Sequence, residues 1–168
     1  MKEIKLSKGY VALVDDEDFE RVNQHKWQAH IDRKEETIYN VYATCNMWFD
    51  GKRKTRTRMH RFIIGVTDSK IKVDHKDHNG LNNQKYNLRK ATNQQNQANS
   101  RLPRTNTSGF KGVNRVGRLN KWQVNIQEHG QQKYIGLFRD KVKAAKAYDK
   151  EAIRIFGEFA NLNFPRPA

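Results

Sequence analysis

Cysteine is nearly absent: among 168 residues there is one, Cys45. A disulfide framework within the chain is therefore excluded, and so is a structural zinc site built on paired cysteines. No apolar run approaches the roughly 18 residues that a membrane span requires. The opening stretch, MKEIKLSKGYVAL, has no long apolar segment of the secretory type. We expect from these absences a soluble, intracellular protein with no membrane partner. Apolar residues make up only 36% of the chain, so its cores must be modest. Acidic residues are scarce too, 18 against 33 Lys and Arg, which leaves a formal charge of +15. A surplus of that size gathers polyanions and points to nucleic acid. No tandem repeat of period 20–50 is present.

The charge is unevenly spread. Residues 1–50 are net acidic, whereas 51–99 and 100–168 are each strongly basic. The cluster Asp15-Asp16-Glu17-Asp18 reads as a solvated turn rather than a metal site. Lys5 to Val14 is β-rich, and Asp16 to Gln24 suits a short helix capped by Asp15 or Asp16. Tyr39 to Phe49 is rich in β-branched and aromatic residues and predicts a strand. Asp50-Gly51 signals a hairpin turn, with Lys52 to Arg58 as the basic returning strand. Met59 to Gly65 predicts a short helix stopped by glycine. Ser100 to Ser108 lacks periodicity and reads as a linker. Phe110 to Val116, Trp122 to Gln127 and Lys133 to Phe138 then predict three strands, with turns at Gly117 and His129-Gly130. Asp140 opens a helix that runs through Phe156 to Gly157. The whole is an α+β chain. A β-rich N-terminal scaffold leads into a domain over 1–99, a linker follows over 100–108, and a three-stranded antiparallel sheet packed on one helix occupies 109–168.

The sharpest local signal is Asp74-His75, then Asn87-Leu88-Arg89, then Asn96. Asn87 follows His75 by twelve residues and Asn96 follows Asn87 by nine. Phosphodiester hydrolysis needs a base to activate water and a cation to stabilise the leaving oxygen. Imidazole suits the first task. Hard oxygen donors from Asp and Asn suit Mg²⁺, which takes few protein ligands. Ile71 to His75 and Asn87 to Ala91 predict paired strands around a polar loop. Thr92-x-x-Gln95 is a capping box opening a short helix. Asn96, one turn in, would face back toward Asp74 and His75. His78 reads as an exposed turn residue, and Asn82 and Asn83 as turn caps. His60, beside Arg61, either contacts the scissile phosphate or packs.

This stretch, VDHKDHNGLNNQKYNLRKATNQQN with MHRFIIG upstream, resembles the HNH endonuclease family, whose fold is the ββα-metal finger. The resemblance implies that His75 is the general base, that Asp74 and Asn96 bind the cation, and that Asn87 fixes the loop and helps orient His75. Asn96 stands where many members have His. The pattern is similar to the phage homing-endonuclease branch, which implies Mg²⁺ or Mn²⁺ rather than zinc or nickel.

In the last sixty residues, Trp122, Val124 and Ile126 alternate toward the helix, and Ile135 and Leu137 join them. Lys121, Gln123, Asn125 and Gln127 face the other way, with Gln132 and Tyr134 beside them. The first strand adds Lys111 and Asn114, and its turn adds Arg115 and Arg118. Ala144, Ala145, Tyr148, Ala152 and Ile155 follow helical spacing. An amide-rich, cationic sheet face suits a major groove. The segments SGFKGVNRV, KWQVNI, KYIGLF, KAAKAYDKEAIRIFG and FANLNFP resemble the DNA-binding domain of plant ethylene-response factors, also called the Apetala-two domain. That resemblance places DNA contacts at Lys111, Asn114, Lys121, Asn125, Gln127, Gln132 and Tyr134.

Together these readings predict a sequence-specific homing-type endonuclease acting on double-stranded DNA, with no small-molecule cofactor. Arg56, Arg58, His60 and Arg61 would help place the finger on DNA, alongside Arg115 of the sheet module. A monomer with one active site would nick one strand; cutting both would need a dimer or two events. A bacterial or phage-infected cytoplasm is the expected setting. The rival expectation is a DNA-binding regulator whose finger no longer cuts.

Overall fold

The structure is a computed structural model, and it describes residues 1–49 and 53–166. The Asp50-Gly51 turn and Lys52 lie outside the described residues. The fold is α+β: among the described residues there are four small antiparallel sheets and four α-helices. The chain divides into two compact units, Met1–Ala91 and Thr92–Ala168, ahead of the division expected at 99.

In the first unit, β1 (Lys2–Lys5) pairs with β2 (Val11–Val14), so the apolar run at the start is a hairpin that begins earlier than Lys5. Helix α1 (Asp16–Asn23) follows. Asp15 occupies its N-cap position, but its carboxylate makes no cap bond. A three-stranded sheet comes next, built from β3 (Gln28–Lys34), β4 (Thr37–Phe49) and β5 (Arg53–Arg58), with β4 in the centre. Strand β3 was not anticipated, because QAHIDRK has weak alternation; its pairing partner β4 imposes the extended form. Val41, Ala43, Cys45 and Met47 alternate along β4 onto the buried face, while Tyr42, Thr44 and Asn46 take the other. Register places Arg58 opposite Thr44 and Arg56 opposite Asn46, on the face that carries Tyr42. Helix α2 (Met59–Ile64) ends at Gly65, whose φ of 68° is the left-handed cap that glycine adopts without steric cost. Finally β6 (Lys72–His75) pairs with β7 (Leu88–Ala91).

One core draws on all of these elements except β5. Ile4, Val14, Val22, Trp27, Ala43, Met59, Ile63, Val73 and Leu88 are buried together. The Trp27 indole N–H donates to the Val22 carbonyl at 2.9 Å, which removes the polar cost of burying that ring. Burial pushes the Cys45 thiol up to about 11, so it is an inert core residue.

The second unit opens with α3 (Asn93–Ala98). The Thr92 side chain accepts from Gln95 N–H and the Gln95 side chain accepts from Thr92 N–H, the reciprocal box expected from the sequence. Strands β8 (Val113–Val116), β9 (Lys121–Glu128) and β10 (Gln131–Phe138) form a sheet with β9 central. The β9–β10 turn uses His129 and Gly130, both at positive φ (51° and 80°), the pattern of a tight hairpin turn. Helix α4 (Lys141–Phe156) is capped by the Asp140 carboxylate, which accepts from Lys143 N–H at 2.6 Å. Val113, Val124 and Ile126 bury against Ala144, Ala145, Tyr148 and Ala152. Gly112 is required here. A Cβ at that position, where φ is +74°, would fall 2.0 Å from the Tyr148 ring.

The C-terminal tail is held by a buried carboxylate. Asp149 accepts from Asn163 N–H (2.9 Å), the Asn163 amide (3.0 Å) and Phe164 N–H (3.0 Å). The Asn163 side chain then brackets Lys111, accepting from its N–H at 2.6 Å and donating to its carbonyl at 3.2 Å. Asn163→Ala should therefore destabilise the second unit by about 2 kcal/mol, because it removes one of the donors to the Asp149 carboxylate and both side-chain bonds to the Lys111 backbone. Urea unfolding of the full chain checks this, and an unchanged second-unit transition would show that the bracket contributes nothing.

Candidate functional site

His75 ends β6, and its imidazole is buried, with 6% of the residue exposed. It lies against two other rings. The His60 ring centroid is 4.9 Å away and nearly perpendicular at 88°, and the Tyr42 centroid is 5.9 Å away. His60 and Tyr42 also touch each other, at 5.8 Å. Tyr42 reaches this place from the solvent-side face of β4, and the Arg58 guanidinium lies 4.6 Å over its ring. Burial lowers the pKa of His75, while the neighbouring Asn83 side chain and the carboxylates of Asp77 and Asp74 partly offset that. Burial, with His75, Arg58 and Arg61 nearby, holds His60 well below the ordinary histidine range. Desolvation raises the Tyr42 phenol. All three rings therefore rest uncharged at neutral pH.

Asp74 is buried and paired. Arg89, opposite it across the hairpin, donates from Nε and Nη2 to the same oxygen, Oδ2, both at 2.9 Å.

The loop between β6 and β7 is organised around Asp77 and Asn87. Asn87 accepts from Asp77 N–H at 3.0 Å and donates to the Asp77 carboxylate and the Asn82 carbonyl, both at 2.9 Å. Asn82 donates to the other Asp77 oxygen at 2.7 Å. Burial opposes ionisation of Asp77, but the donors Asn79, Asn82 and Asn87 overcome it and hold its pKa below the ordinary value. His78 takes φ 61° in this turn. Gly80 lies flush on β4, and a Cβ there would fall 2.5 Å from the Val41 carbonyl and 2.6 Å from the Tyr42 ring. Asn40 fastens the same spot, accepting from Gly80 N–H at 3.1 Å and donating to the Tyr42 hydroxyl at 3.0 Å.

The acidic N-terminal segment, expected as a solvated turn, makes long-range contacts to the β6–β7 loop. Strand β2 runs beside the loop: Leu13 N–H donates to Leu81 O and Asn83 N–H to Leu13 O, both at 2.8 Å. The Asp15 carboxylate accepts from Lys85 N–H at 2.7 Å and from Gln84 at 3.2 Å. Asp15, Glu17 and Asp18 come close enough to share a cation. Lys85 already pairs with Glu17 and Asp18, and Arg21 with Asp18. The cluster is a clamp on the loop. Only the long-range pairing, some 70 residues apart, reveals it.

Several expected DNA contacts sit differently. His60, left open between contacting the scissile phosphate and packing, is 4% exposed and packs edge-on against His75. The Arg61 guanidinium donates to the carbonyls of Ile71 and Asp68, both at 2.7 Å, which fixes the approach to β6. Arg56 and Arg58 are exposed; Arg58 lies over the Tyr42 ring, and Arg56 pairs opposite Asn46 on the same face. Lys111 requires a correction. Its ammonium donates to the Ala98 carbonyl and, at 2.8 Å, to that of Ser100, satisfying acceptors at the end of α3. Burial pushes it down to about 8. Leu137 also departs from expectation. A bulge between Tyr134 and Gly136 shifts the alternation, so Leu137 pairs with Gln123 on the outer face and Phe138 turns inward with Trp122. The rows Asn114–Gln123, Asn125–Tyr134 and Gln127–Gln132 lie on that outer face, with Tyr134 58% exposed. Lys121 is half-buried. Arg115 lies within β8, not in the turn, paired with Trp122. Asn96 is exposed on α3 in the second unit.

For a divalent cation, the donor chemistry of the first unit is compatible but spare. A hard carboxylate at Asp74 suits Mg²⁺ or Mn²⁺, ions that keep several waters and need few protein ligands.

Comparison with known proteins finds both resemblances. The chain is 37% identical over 113 residues to an uncharacterized HNH endonuclease of Acanthamoeba polyphaga mimivirus, covering 64% of this chain and 58% of that protein. It is 39% identical over 64 residues to APETALA2-like protein 2 of Oryza sativa subsp. indica, covering 38% of this chain and 15% of that one. It is 38% identical over 64 residues to the AP2-like ethylene-responsive transcription factor TOE2 of Arabidopsis thaliana, covering 38% of this chain and 13% of that one. The chain is thus homologous to an HNH endonuclease and to AP2-like proteins, and spans just over half the viral relative and a small part of the plant ones. No family model matches it.

Two outcomes follow for stability. Asp15→Ala should speed amide exchange at Lys85 and cost about 1–2 kcal/mol, since a charged acceptor is removed from a backbone donor; unchanged exchange at Lys85 would disprove the clamp. Folded Lys111 loses its proton near pH 8, below the ordinary 10.5. Between those values the unfolded chain binds more protons, so folding stability should rise with pH across that window. Lys111→Met should remove that rise in a pH series of urea unfolding curves.

Proposed function

We propose that the chain is a sequence-specific, divalent-cation-dependent DNA endonuclease of the homing type, which hydrolyses phosphodiester bonds and nicks one strand per active site. The observation that supports it is the placement of His75: a buried, uncharged imidazole, held by two rings, one of which the exposed Arg58 guanidinium covers. A base must be unprotonated to accept a proton from water, and burial favours that state. Arg56 and Arg58 attract the phosphate backbone toward the same face. Asn87 is a positioning residue: it secures the loop that leaves His75. When bound, a divalent cation supplies Lewis-acid stabilisation of the departing 3′ oxygen. Asp74 and Asn96 would hold it, the part of Asn96 resting on the family resemblance. The products would be a 3′ hydroxyl and a 5′ phosphate.

The sheet of the second unit would choose the site. Its outer face offers Asn114, Gln123, Asn125, Gln127 and Gln132, and side-chain amides pair bidentately with adenine in the major groove. The functional division proposed is cutting residues through 99 and a DNA reader over 109–168. The acting form is a monomer in a bacterial or phage-infected cytoplasm.

One observation favours a second reading. The Asp74 carboxylate already carries a charge-neutralising partner in Arg89, which would suit a regulator that binds DNA without cutting.

Cleavage of supercoiled plasmid in Mg²⁺ or Mn²⁺ separates the two readings. The wild type should nick and a chelator should abolish it. His75→Ala should lose about 10²–10⁴-fold in rate, the usual share of general base catalysis, with duplex affinity unchanged. Intact duplex binding with no nicking by either protein would establish the regulator. Asn125→Ala or Gln127→Ala should relax site choice by about 1–3 kcal/mol per base contact without slowing hydrolysis on a bound site. Equal loss on every sequence would refute the division of labour.

A further inference from the structure

We infer that His60 and Tyr42 are positioning residues for His75: together they form an aromatic socket that fixes the plane of its imidazole, so that it meets water in one orientation. This rests on the proposed role of His75 as the base, and takes it from a residue to a device.

The argument starts from where each ring comes from. His75 stands at the last position of β6, immediately before the polar loop. A strand end is a poor place to hold a side chain, because the ladder stops there. The ring must be oriented by what surrounds it. His60 approaches from the first turn of α2, and Tyr42 from the middle of β4. The three elements share the first-unit core, which makes them a rigid frame.

The geometry is that of a socket. His60 meets His75 at 4.9 Å and 88°, an edge-to-face arrangement that aromatic rings favour over a parallel sandwich. Tyr42 lies 5.9 Å from His75 at a tilt of 49°, and closes the triangle on His60 at 5.8 Å. Two walls at different inclinations leave an imidazole little freedom to turn about its χ angles.

The socket is itself locked. His60 is only 4% exposed and Met59 beside it is fully buried, so α2 cannot rotate without opening the core. Gly65 and Arg21 fix the far end of that helix, the latter donating to the carbonyls of Phe62 and Ile63. Tyr42 is fixed on both sides. Its hydroxyl accepts from Asn40, and Gly80 of the loop presses on its ring with no room for a side chain. The Arg58 guanidinium covers it from solvent. His60 is packed edge-on against His75 and largely withdrawn from solvent. Orientation of its neighbour is the task its surroundings permit.

A positioned base differs from a merely packed one in rate. Misplacement by about 1 Å can cost on the order of 10²-fold. His60→Ala removes one wall and should slow single-turnover nicking by about 10–100-fold, with duplex affinity within twofold of wild type. His60→Phe restores an aromatic wall and should recover most of that loss, whereas His60→Gln, polar but not aromatic, should not. Relaxation of the ¹³C-labelled His75 ring in the full chain gives a readout that needs no cleavage. Order at His75 should fall in the alanine and glutamine variants and return with phenylalanine. In the wild type, proton cross-relaxation should connect the rings of His60 and His75.

Wild-type nicking and ring order in folded His60→Ala would overturn the inference. So would equal loss in the alanine and phenylalanine variants, or absence of the ring-to-ring cross peak in the wild type. If the wild type itself does not nick, the hydrolytic reading fails. Ring order in the same variants still decides whether the socket holds His75.

Discussion

The buried amide of Asn87 is the constraint on which the place of His75 depends. A loop of eleven residues separates His75 from Asn87, and loops of that length are ordinarily free to wander. Here the amide uses its donor and acceptor groups to join the two ends of the loop, and Lys76 N–H adds a bond to the Asn87 carbonyl at 2.9 Å. The Asp77 carboxylate then collects Asn79 and Asn82. A charged acceptor among neutral donors, part-shielded from solvent, makes each of these bonds stronger than its neutral counterpart. The loop therefore turns around one carboxylate, and the imidazole that precedes it is presented from a fixed mouth.

The N-terminal segment completes that arrangement electrostatically. Its acidic residues face Lys85 and Arg21, so negative charge is neutralised against the outer edge of the loop. The basic residues Arg56 and Arg58 lie elsewhere in the unit, opposite Asn46 and Thr44 on the face of the β3–β4–β5 sheet that carries Tyr42. Two exposed guanidiniums on that face add a local positive field to which a phosphate would be drawn.

Much of this was legible from local sequence. Thr92 and Gln95 announced a capping box, Gly65 a helix end, Asp140 a helix start and His129-Gly130 a tight turn, because each signal acts within four residues. The alternation of Val124 and Ile126 gave the buried face of β9. What was not legible depends on partners far along the chain or on irregular geometry. Leu137 faces outward because a single bulge inverts the strand beyond Tyr134. Lys111 is withdrawn from the outer face because α3 offers unsatisfied carbonyls and Asn163 fixes its backbone. His60 resembles a surface basic residue in sequence, flanked by Met59 and Arg61, until α2 is seen to turn it against His75. Asp15 carries the residue type of a helix cap, yet a loop some 70 positions away claims its carboxylate.

The withdrawal of Lys111 bears on how the second unit would read DNA. Its remaining outer face is chiefly amide and aromatic, with Asn114, Gln123, Asn125, Gln127, Gln132 and Tyr134 in register across three strands. Neutral amides discriminate bases but release no counterions, so they add selectivity with little contribution to salt-dependent affinity. Attraction to phosphate must come from charges elsewhere on the unit, such as Arg118 in the exposed turn or the exposed Lys143, Lys146 and Lys150 of α4. Lys141 is partly engaged, its ammonium 5.2 Å over the rings of both Phe110 and Trp122. On the proposed reading, a face built this way would separate two demands: a basic rim would bring the unit to any duplex, and the uncharged centre would decide which duplex it holds.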